Sequence, residues 1–337
     1  MSDARPVAAL GMIPGIEAML LTETARSKLE ALVDLVSPGG GDLTAMADAD
    51  LASVDVVVGS WGCSVLDEAL LARMPRLRLL AYAAGTVKHT VTPAVWARDI
   101  TVSSAAAANA VPVAELTFAA IVMIAKDVFR IRDRHREVRG TEPVTGQGPA
   151  GPVGTRGLRI GVVGASRIGR LLIGRLHTLD LEVAVTDPYL SADDAVDLGV
   201  TPMALDDLVA WADIVTIHAP ELPETRHLFD AARLAQMRDG AWLVNTARGS
   251  LVDTDALTRE CTRGRLCAWL DTTDPEPLPA DSPLYDLPNV VLTPHIAGSM
   301  GNEVARMGDL AVAEVRRFLS GAPLLHPVHA ADLERIA

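Results

Sequence analysis

The 337-residue sequence is poor in cysteine and in aromatic residues, which make up 4% of the chain. Its three cysteines, Cys63, Cys261 and Cys267, are odd in number and lack a CxxC spacing. This argues against a disulfide framework and against a zinc site. We therefore expect reduced thiols, a cytoplasmic protein and no bound metal.

Clustered positive charge is also scarce, since the formal net charge is −13 and the pI is about 5.0. Phosphate contacts require clustered lysine and arginine, so nucleic acid is not expected as a partner. The one basic cluster, Arg130–Arg139, alternates with acids and is typical of a solvated helix face.

Long apolar runs are missing as well. The longest, Leu116–Ala125, is bounded by Glu115 and Lys126 and is too short to span a bilayer, so it predicts a buried helix. The N-terminus carries Asp3 and Arg5 before a short apolar run and lacks the long apolar region of a signal peptide. We expect no membrane partner.

The chain is nevertheless 49% hydrophobic and long enough for two domains, each with its own core. Short apolar runs alternate with helical spacing along it, which indicates parallel sheets covered by helices. We predict a loop at Pro38–Gly41, one long helix over about Val111–Arg139, and a surface loop at Thr141–Gly157. Strands are predicted at Val7–Leu10, Val54–Val58, Leu77–Ala81, Ile100–Ser103, Ile214–Ile217, Ala241–Val244, Leu266–Leu270 and Val290–Leu292.

The stretch Leu158–Asp187 is the most informative part of the sequence. A strand-like run, Leu158–Val163, leads into a turn at Gly164–Gly169 and a helical pattern, and Asp187 follows a second strand. Helix N-terminal N–H groups attract a pyrophosphate, and an acid about twenty residues on binds the adenosine ribose. The turn alone also fits an ordinary βαβ unit, but this context favours a dinucleotide site with Gly164, Ser166, Gly169 and Asp187 as contacts.

Ser166 departs from the Gly-x-Gly-x-x-Gly fingerprint, because its Cβ limits how closely the backbone approaches the phosphates. The last helical pattern, at about 302–320, follows the cofactor unit and is expected to pack on the N-terminal half. We predict an α/β fold with two Rossmann-like or flavodoxin-like domains, parallel sheets and a discontinuous first domain. Residues 1–106 plus 300–337 form the substrate (catalytic) domain and residues 107–299 the NAD-binding Rossmann domain, with a hinge and a cleft between them.

Three polar residues follow predicted strands, at the edge where open α/β sheets bind ligands. Arg248 can hold a carboxylate bidentately. His295, with the carboxylate of Glu276 behind it, can exchange a proton near neutral pH. Singly, these residues also fit a surface ion pair, a turn residue and a solvated loop residue. Beside a nicotinamide cofactor, they supply the groups needed to interconvert a hydroxy acid and an oxo acid.

Over about Leu70–Leu319 the sequence resembles the D-isomer-specific 2-hydroxyacid dehydrogenases. The matching segments are Val113–Thr117, Asp213–Pro220, Glu224–Leu228, Asn245–Gly249, Leu270–Asp271, Glu276–Leu278 and Leu292–Gly298. The resemblance implies that His295 is the acid/base, Glu276 its orienting partner and Arg248 the substrate clamp. It also implies further NAD contacts at Arg167, Ile168, His218, Ala219, Pro220, Thr225, Thr246, Ala247, Asp271 and Gly298, and a homodimer.

In this family a glycine-rich loop binds the substrate carboxylate through backbone N–H groups, and it matches Ala83–Val87. Here Ala84, Gly85 and Thr86 replace the usual Gly-x-Gly, and Lys88 replaces an acid common just downstream. We expect Ala84, Gly85 and Thr86 to contact the substrate, with Trp61 lining the pocket.

The sequence is therefore interpreted as an NAD-dependent D-2-hydroxyacid dehydrogenase, with a 2-oxo or 2-hydroxy acid as its small-molecule partner. One alternative is oxidation of phosphite or formate on the same scaffold. Glu276 speaks against formate, because the formate enzymes of the family resemble the rest except for Gln at this position, but phosphite stays open. Another alternative is a non-enzymatic NAD-sensing corepressor, for which the chain lacks a long disordered tail.

Overall fold

The computed structural model describes residues 5–140, 147–148 and 151–333. The chain divides into two compact units, one formed by Met1–Asn109 with Ser299–Ala337 and the other by Ala110–Gly298. Each unit contains a sheet of mainly parallel strands. The predicted fold class, with a discontinuous first unit, is confirmed.

The strands, in chain order, are β1 Val7–Gly11, β2 Asp34–Gly41, β3 Val56–Gly59, β4 Leu79–Tyr82, β5 Thr101–Ser104, β6 Gln147–Gly148, β7 Gly151–Pro152, β8 Leu158–Val163, β9 Leu181–Thr186, β10 Thr201–Pro202, β11 Ile214–Ile217, β12 Trp242–Asn245, β13 Cys267–Leu270, β14 Val290–Leu292 and β15 Pro327–Val328. The α-helices are α1 Glu17–Leu20, α2 Glu23–Leu32, α3 Asp48–Leu51, α4 Glu68–Arg73, α5 Pro93–Ala97, α6 Ala106–Ala125, α7 Val128–Val138, α8 Arg167–Leu176, α9 Ala192–Leu198, α10 Leu205–Trp211, α11 Ala231–Gln236, α12 Thr254–Thr262 and α13 Val304–Leu319.

The first unit has the strand order β15-β5-β4-β3-β1-β2, and only β15 is antiparallel to its neighbour. Helices α2 and α13 cover one apolar face of the sheet, and α4 and α5 cover the other. The close approach of α13 to α1 requires Gly308, because a Cβ there would lie 1.8 Å from the Leu20 carbonyl oxygen. The C-terminal helix therefore completes the core of the N-terminal sheet.

The second unit has the strand order β10-β9-β8-β11-β12-β13-β14, with every pairing parallel. Strand order reverses between β8 and β11, which places a ligand crevice at the carboxyl ends of these two strands. Fully buried strands such as Ile214–Ile217 read as continuous apolar runs, as parallel sheets require.

Both units hold the amino ends of their strands with the same arrangement. Asp55, just before β3, accepts a hydrogen bond from the backbone N–H of Val7 at 3.0 Å, and Arg76 pairs with its carboxylate. Asp213, just before β11, accepts from the backbone N–H of Arg159 at 3.1 Å and pairs with the same residue's guanidinium. Asp55 thus ties β1 to β3, and Asp213 ties β8 to β11.

The predicted loop at Pro38–Gly41 is wrong, because these residues belong to edge strand β2. Helix α2 ends at Leu32, and Val33 is already extended. The pairing of β2 with β1 is irregular, with register shifts around Ala9. An edge strand tolerates proline and glycine because one side makes no ladder.

The predicted single helix over Val111–Arg139 is also wrong. Helix α6 begins at Ala106 and ends at Ala125, and α7 follows after a break. Asp127 lies in the left-handed region with φ of 51°, and its carboxylate accepts a hydrogen bond from Arg130 Nε at 2.5 Å. This conformation ends the helical hydrogen-bond ladder. In the predicted loop Thr141–Gly157, residues 141–146 and 149–150 lie outside the described residues, and the described part includes the short hairpin β6–β7.

Helix α6 is 20 residues long and, by length and composition alone, apolar enough to cross a membrane. The length argument made for the shorter run Leu116–Ala125 therefore does not extend to the whole helix. Half of the apolar window is buried within the protein, and a buried core helix meets the same criteria. Its inward residues Ala114, Ala120, Ile121 and Ile124 pack on the second sheet.

Candidate active site

The turn after β8 has the geometry of a phosphate cradle. Gly164 has φ of 100°, and a Cβ there would lie 2.8 Å from backbone atoms of His218 and Ala219. A Cβ at Gly169 would lie 2.1 Å from the Gly164 carbonyl oxygen. Both positions therefore require glycine, so that α8 can start directly against the sheet.

Ser166 caps α8, since its hydroxyl oxygen accepts the Gly169 N–H at 3.3 Å. Within the described part of the chain, the backbone N–H groups of Ser166, Arg167 and Ile168 have no acceptor. These are the free donors of a helix N-terminus, which bind anions. The serine that interrupts the glycine fingerprint thus uses one N–H and leaves the preceding ones available.

Asp187 directly follows β9, and its carboxylate is hydrogen-bonded to the cofactor turn. Its Oδ2 accepts the Ala165 N–H at 2.7 Å, and its Oδ1 accepts the Tyr189 N–H at 2.8 Å. Each carboxylate oxygen keeps a lone pair. The arrangement fixes the carboxylate beside the turn, where it can accept the hydroxyls of a ribose.

The loop after β11 contains the predicted contacts His218, Ala219, Pro220 and Thr225. The Thr225 hydroxyl donates to the Pro220 carbonyl oxygen at 2.7 Å and accepts the Leu222 N–H at 2.8 Å, which closes the loop on itself. His218 is buried, and Nε2 lies 2.9 Å from Thr216 Oγ1. Burial lowers the pKa of His218 to about 3, so this imidazole is neutral.

Arg248 follows β12 in a loop that Asn245 organises. The Asn245 side chain donates to the Arg248 carbonyl oxygen at 2.8 Å and accepts the Ala247 N–H at 3.0 Å. One guanidinium nitrogen, Nη1, donates to the Ala247 carbonyl oxygen at 2.7 Å. The other guanidinium donors stay available for a carboxylate. A Cβ at Gly249 would lie 2.0 Å from the Thr273 carbonyl carbon, so this loop packs tightly on the one that leads to Glu276.

His295 follows β14, and its Nδ1 lies 2.7 Å from Glu276 Oε1. Both side chains are nearly half exposed, at 49% and 43%. Because Nδ1 is bonded to the carboxylate, Nε2 is the ring nitrogen left to exchange a proton. Since β12, β13 and β14 are neighbours, Arg248, Glu276 and His295 all follow the carboxyl ends of adjacent strands.

Asp271, at the end of β13, is 2% exposed and holds the loop around His295. Its Oδ1 accepts the Thr293 hydroxyl and the Ile296 N–H, and its Oδ2 accepts the Ala297 N–H. Oδ2 therefore has the more open lone pair. Gly298, another predicted cofactor contact, ends this loop at the limit of the second unit.

The predicted substrate residues Trp61, Ala84, Gly85 and Thr86 lie in the first unit, after the neighbouring strands β3 and β4. The Ser104 hydroxyl donates to the Gly85 carbonyl oxygen and orients the loop. Among the described residues, no acceptor is found for the backbone N–H groups of Gly85 and Thr86. They are the donors that a carboxylate would use.

Sequence reasoning gave no role to Thr117, which is buried in α6. Its hydroxyl donates to the Val113 carbonyl oxygen at 2.8 Å and lies 2.9 Å from Thr246 Oγ1. Thr117 has one hydroxyl proton and donates it to Val113, so Thr246 must be the donor in the bond between the two threonines. The Thr246 oxygen can then only accept hydrogen bonds from other groups. The signal for such a role in the sequence was a threonine within a very apolar helix.

Within the parts of the chain described by the structure, no group of three or more His, Cys, Asp or Glu residues could hold a metal ion. Cys261 and Cys267 are buried free thiols, and burial raises the pKa of each to about 12. Cys63 is likewise a free cysteine.

Comparison with known proteins relates this geometry to one family. Residues 118–297 match the family model described as D-isomer specific 2-hydroxyacid dehydrogenase, NAD binding domain. The (S)-sulfolactate dehydrogenase of Chromohalobacter salexigens is 35% identical over 259 residues, which cover 75% of this chain and 81% of that protein. The D-3-phosphoglycerate dehydrogenase of Mycobacterium tuberculosis is 34% identical over 266 residues, 77% of this chain and 48% of that protein.

Among solved structures, the D-lactate dehydrogenase of Aquifex aeolicus, complexed with NAD and lactic acid, superposes with a TM-score of 0.68 at 26% identity. The match covers 94% of this chain and 96% of that one. The chain spans about half the length of the D-3-phosphoglycerate dehydrogenases that it matches.

Proposed function

Because the chain belongs to the D-isomer specific 2-hydroxyacid dehydrogenase family, we propose that it interconverts a 2-oxo acid and a D-2-hydroxy acid with NAD(H). The single observation that carries this proposal is the bond between His295 Nδ1 and Glu276 Oε1, 2.7 Å long, on the sheet edge that also carries Arg248. This pair and one arginine are the groups that hydroxy-acid oxidation requires besides the cofactor.

NAD is the cofactor, since the matched family model is an NAD binding domain. The residues fit it: Gly164 and Gly169 leave no room for a side chain, and the free N–H groups at the start of α8 suit a pyrophosphate. Asp187 would hold the adenosine ribose, and Thr246 would present an acceptor. NAD(H), when bound, supplies or accepts the hydride.

The residues of the chain perform the remaining work. Arg248 holds the substrate carboxylate and polarises the adjacent carbonyl group. The Nε2–H of a protonated His295 donates its proton to the oxygen at carbon 2 during reduction, and neutral Nε2 accepts that proton during oxidation. Glu276 orients the ring through Nδ1 and stabilises its charged form. The N–H groups of Gly85 and Thr86, with Ala84 and Trp61 beside them, are proposed as further substrate contacts.

The test is NADH oxidation by the purified chain with glyoxylate, pyruvate, hydroxypyruvate, phenylpyruvate and branched 2-oxo acids, with chiral analysis of the product. Turnover giving the D-hydroxy acid, lost on His295→Asn replacement, supports the proposal. NAD reduction by phosphite or formate without oxo-acid turnover would favour hydride donors of that kind. NADH binding without any turnover would favour a sensing role instead.

We also propose a homodimer in the cytoplasm, with a small-molecule acid as the partner and neither nucleic acid nor membrane as a ligand. The acidic net charge of −13 and the family resemblance support this. Light scattering after size exclusion tests the dimer, and a mass of one chain would contradict it.

A further inference from the structure

His295 has an unusual backbone conformation for a residue with a side chain. Its φ is 54°, in the left-handed region. Non-glycine residues in this region cost on the order of 1–3 kcal/mol and persist where the surroundings hold them. Its N–H donates to the Asp271 carbonyl oxygen at 2.9 Å and to the Thr293 carbonyl oxygen at 3.0 Å. The direction of the imidazole therefore depends on how firmly the loop is anchored.

The anchor is the side chain of Asp271, which bonds the loop on both sides of His295. After the histidine, Oδ1 accepts the Ile296 N–H at 2.9 Å and Oδ2 accepts the Ala297 N–H at 2.8 Å. Before the histidine, Oδ1 accepts the hydroxyl of Thr293 at 2.6 Å, the shortest of the three bonds. Hydrogen bonds to a buried carboxylate are stronger than neutral ones.

Only one of these three bonds depends on a side chain of the loop. The N–H groups of Ile296 and Ala297 would be supplied by any residue except proline. The hydroxyl of Thr293 is supplied by the sequence, and next comes Pro294, which has no N–H to donate. Removing that hydroxyl would leave this part of the loop held by two backbone bonds, from the Thr293 N–H to the Leu270 carbonyl oxygen and from the His295 N–H to the Asp271 carbonyl oxygen.

We infer that Thr293 is a positioning residue for the acid/base pair. This inference rests on the function proposed above. Its bond to Asp271 fixes the loop before His295, and this keeps Nδ1 on Glu276 and directs Nε2 to the reacting oxygen. Thr293 acts through Asp271 and touches no reacting atom. A hydroxyl is required at this position, whereas the methyl group is not.

The experiment compares Thr293→Val, which keeps the shape and deletes the hydroxyl, with Thr293→Ser, which keeps the hydroxyl. We expect Thr293→Val to lower kcat for oxo-acid reduction by roughly 10- to 100-fold, because small displacements of reacting groups have effects of this size. Thr293→Ser should restore kcat to within about threefold. Thr258→Val is the matched control, because it deletes a hydroxyl bonded to the Thr254 carbonyl oxygen at 2.7 Å within α12.

A second readout does not require turnover. Proton NMR of the wild-type chain should show a downfield Nδ1–H resonance of His295, assigned by its loss in His295→Asn. The resonance should persist in Thr293→Ser and vanish or broaden in Thr293→Val. If Thr293→Val fails to fold by circular dichroism, Thr293→Ala is measured in its place.

The inference is overturned if the valine variant keeps kcat within threefold of wild type, or if serine does not restore the lost rate. It is equally overturned if the resonance is unchanged in the valine variant. Absence of oxo-acid turnover in the wild-type chain would instead contradict the proposed function, and the resonance would then decide the inference about Thr293 alone.

Discussion

Asp187 Oδ2 lies 2.7 Å from the backbone nitrogen of Ala165, so the acid that follows β9 is hydrogen-bonded to the cofactor turn itself. A carboxylate held there favours ribose hydroxyls and repels a 2′-phosphate. We predict that kcat/KM for NADH exceeds that for NADPH by roughly 100-fold or more, about 3 kcal/mol of discrimination. Asp187→Ser should reduce this ratio at least tenfold, and the exposed acid Asp193, changed to Asn, is the control. Comparable kcat/KM values for both cofactors in the wild type would refute the assignment.

Arg248→Lys keeps the charge but loses the planar fork of the guanidinium. We expect kcat/KM for the oxo acid to fall by about 100-fold or more, with kcat reduced and KM raised together, because a bidentate contact holds both the carboxylate and the developing alkoxide. Steady-state kinetics with NADH at saturation measure the effect. Arg238→Lys, an exposed arginine 3.7 Å from Asp213, should leave both constants within twofold. A lysine variant at position 248 with wild-type kcat/KM would show that the fork is not used.

Glu276→Gln retains a hydrogen-bonding group at His295 Nδ1 and deletes its charge. We expect kcat to fall roughly 10- to 1,000-fold in both directions, because the charged imidazole loses its counter-ion while proton transfer remains part of the reaction. Binding of NADH, followed by fluorescence, should be unchanged. Full activity in the glutamine variant would remove Glu276 from the mechanism.

His218 provides a prediction for stability against pH. Its pKa is lowered by burial from 6.5 to about 3, so between these values the unfolded chain binds a proton that the folded chain does not. The contribution of His218 to the free energy of unfolding should therefore be complete above about pH 6.5. It should decrease as the pH falls, by up to about 1.4 kcal/mol per pH unit. Urea unfolding at about pH 7, 6 and 5, which covers the upper part of this range, should show a steeper loss of stability in wild type than in His218→Asn. The exposed His89, changed to Asn, should keep the wild-type slope, and equal slopes in all three proteins would refute the prediction.

The central strands of the second sheet could be predicted from sequence because they are buried on both faces. Ile214–Ile217 and Val290–Leu292 have the predicted bounds, since an apolar run between polar turns leaves few alternatives. Edge strand β2 was missed because Pro38 and three glycines indicate a loop, and only pairing with β1 makes them a strand. The break at Asp127 was missed because helical periodicity continues through it and does not show which residue adopts a left-handed φ.

Part of the candidate site could likewise be predicted from the sequence, and part could not. That Arg248, Glu276 and His295 follow adjacent strands could be read from the sequence, because parallel strands bring their carboxyl ends to one edge. Their catalytic roles remain predictions. The positions of Thr117 and Thr293 could not be found from spacing, because each matters through one hydroxyl bond, to Thr246 and to Asp271, that only the folded chain makes.

The aspartates before β3 and β11 lie at the amino ends of the strands, so the loops at the two ends of each sheet are under different constraints on their sequence. Asp55 and Asp213 fix strand register at the amino edge through bonds to the N–H groups of Val7 and Arg159. The loops at the opposite edge therefore do not have to maintain register. Under the proposed function, substrate preference can change there by exchange of loop residues such as Lys88, while the pairing of the strands stays the same.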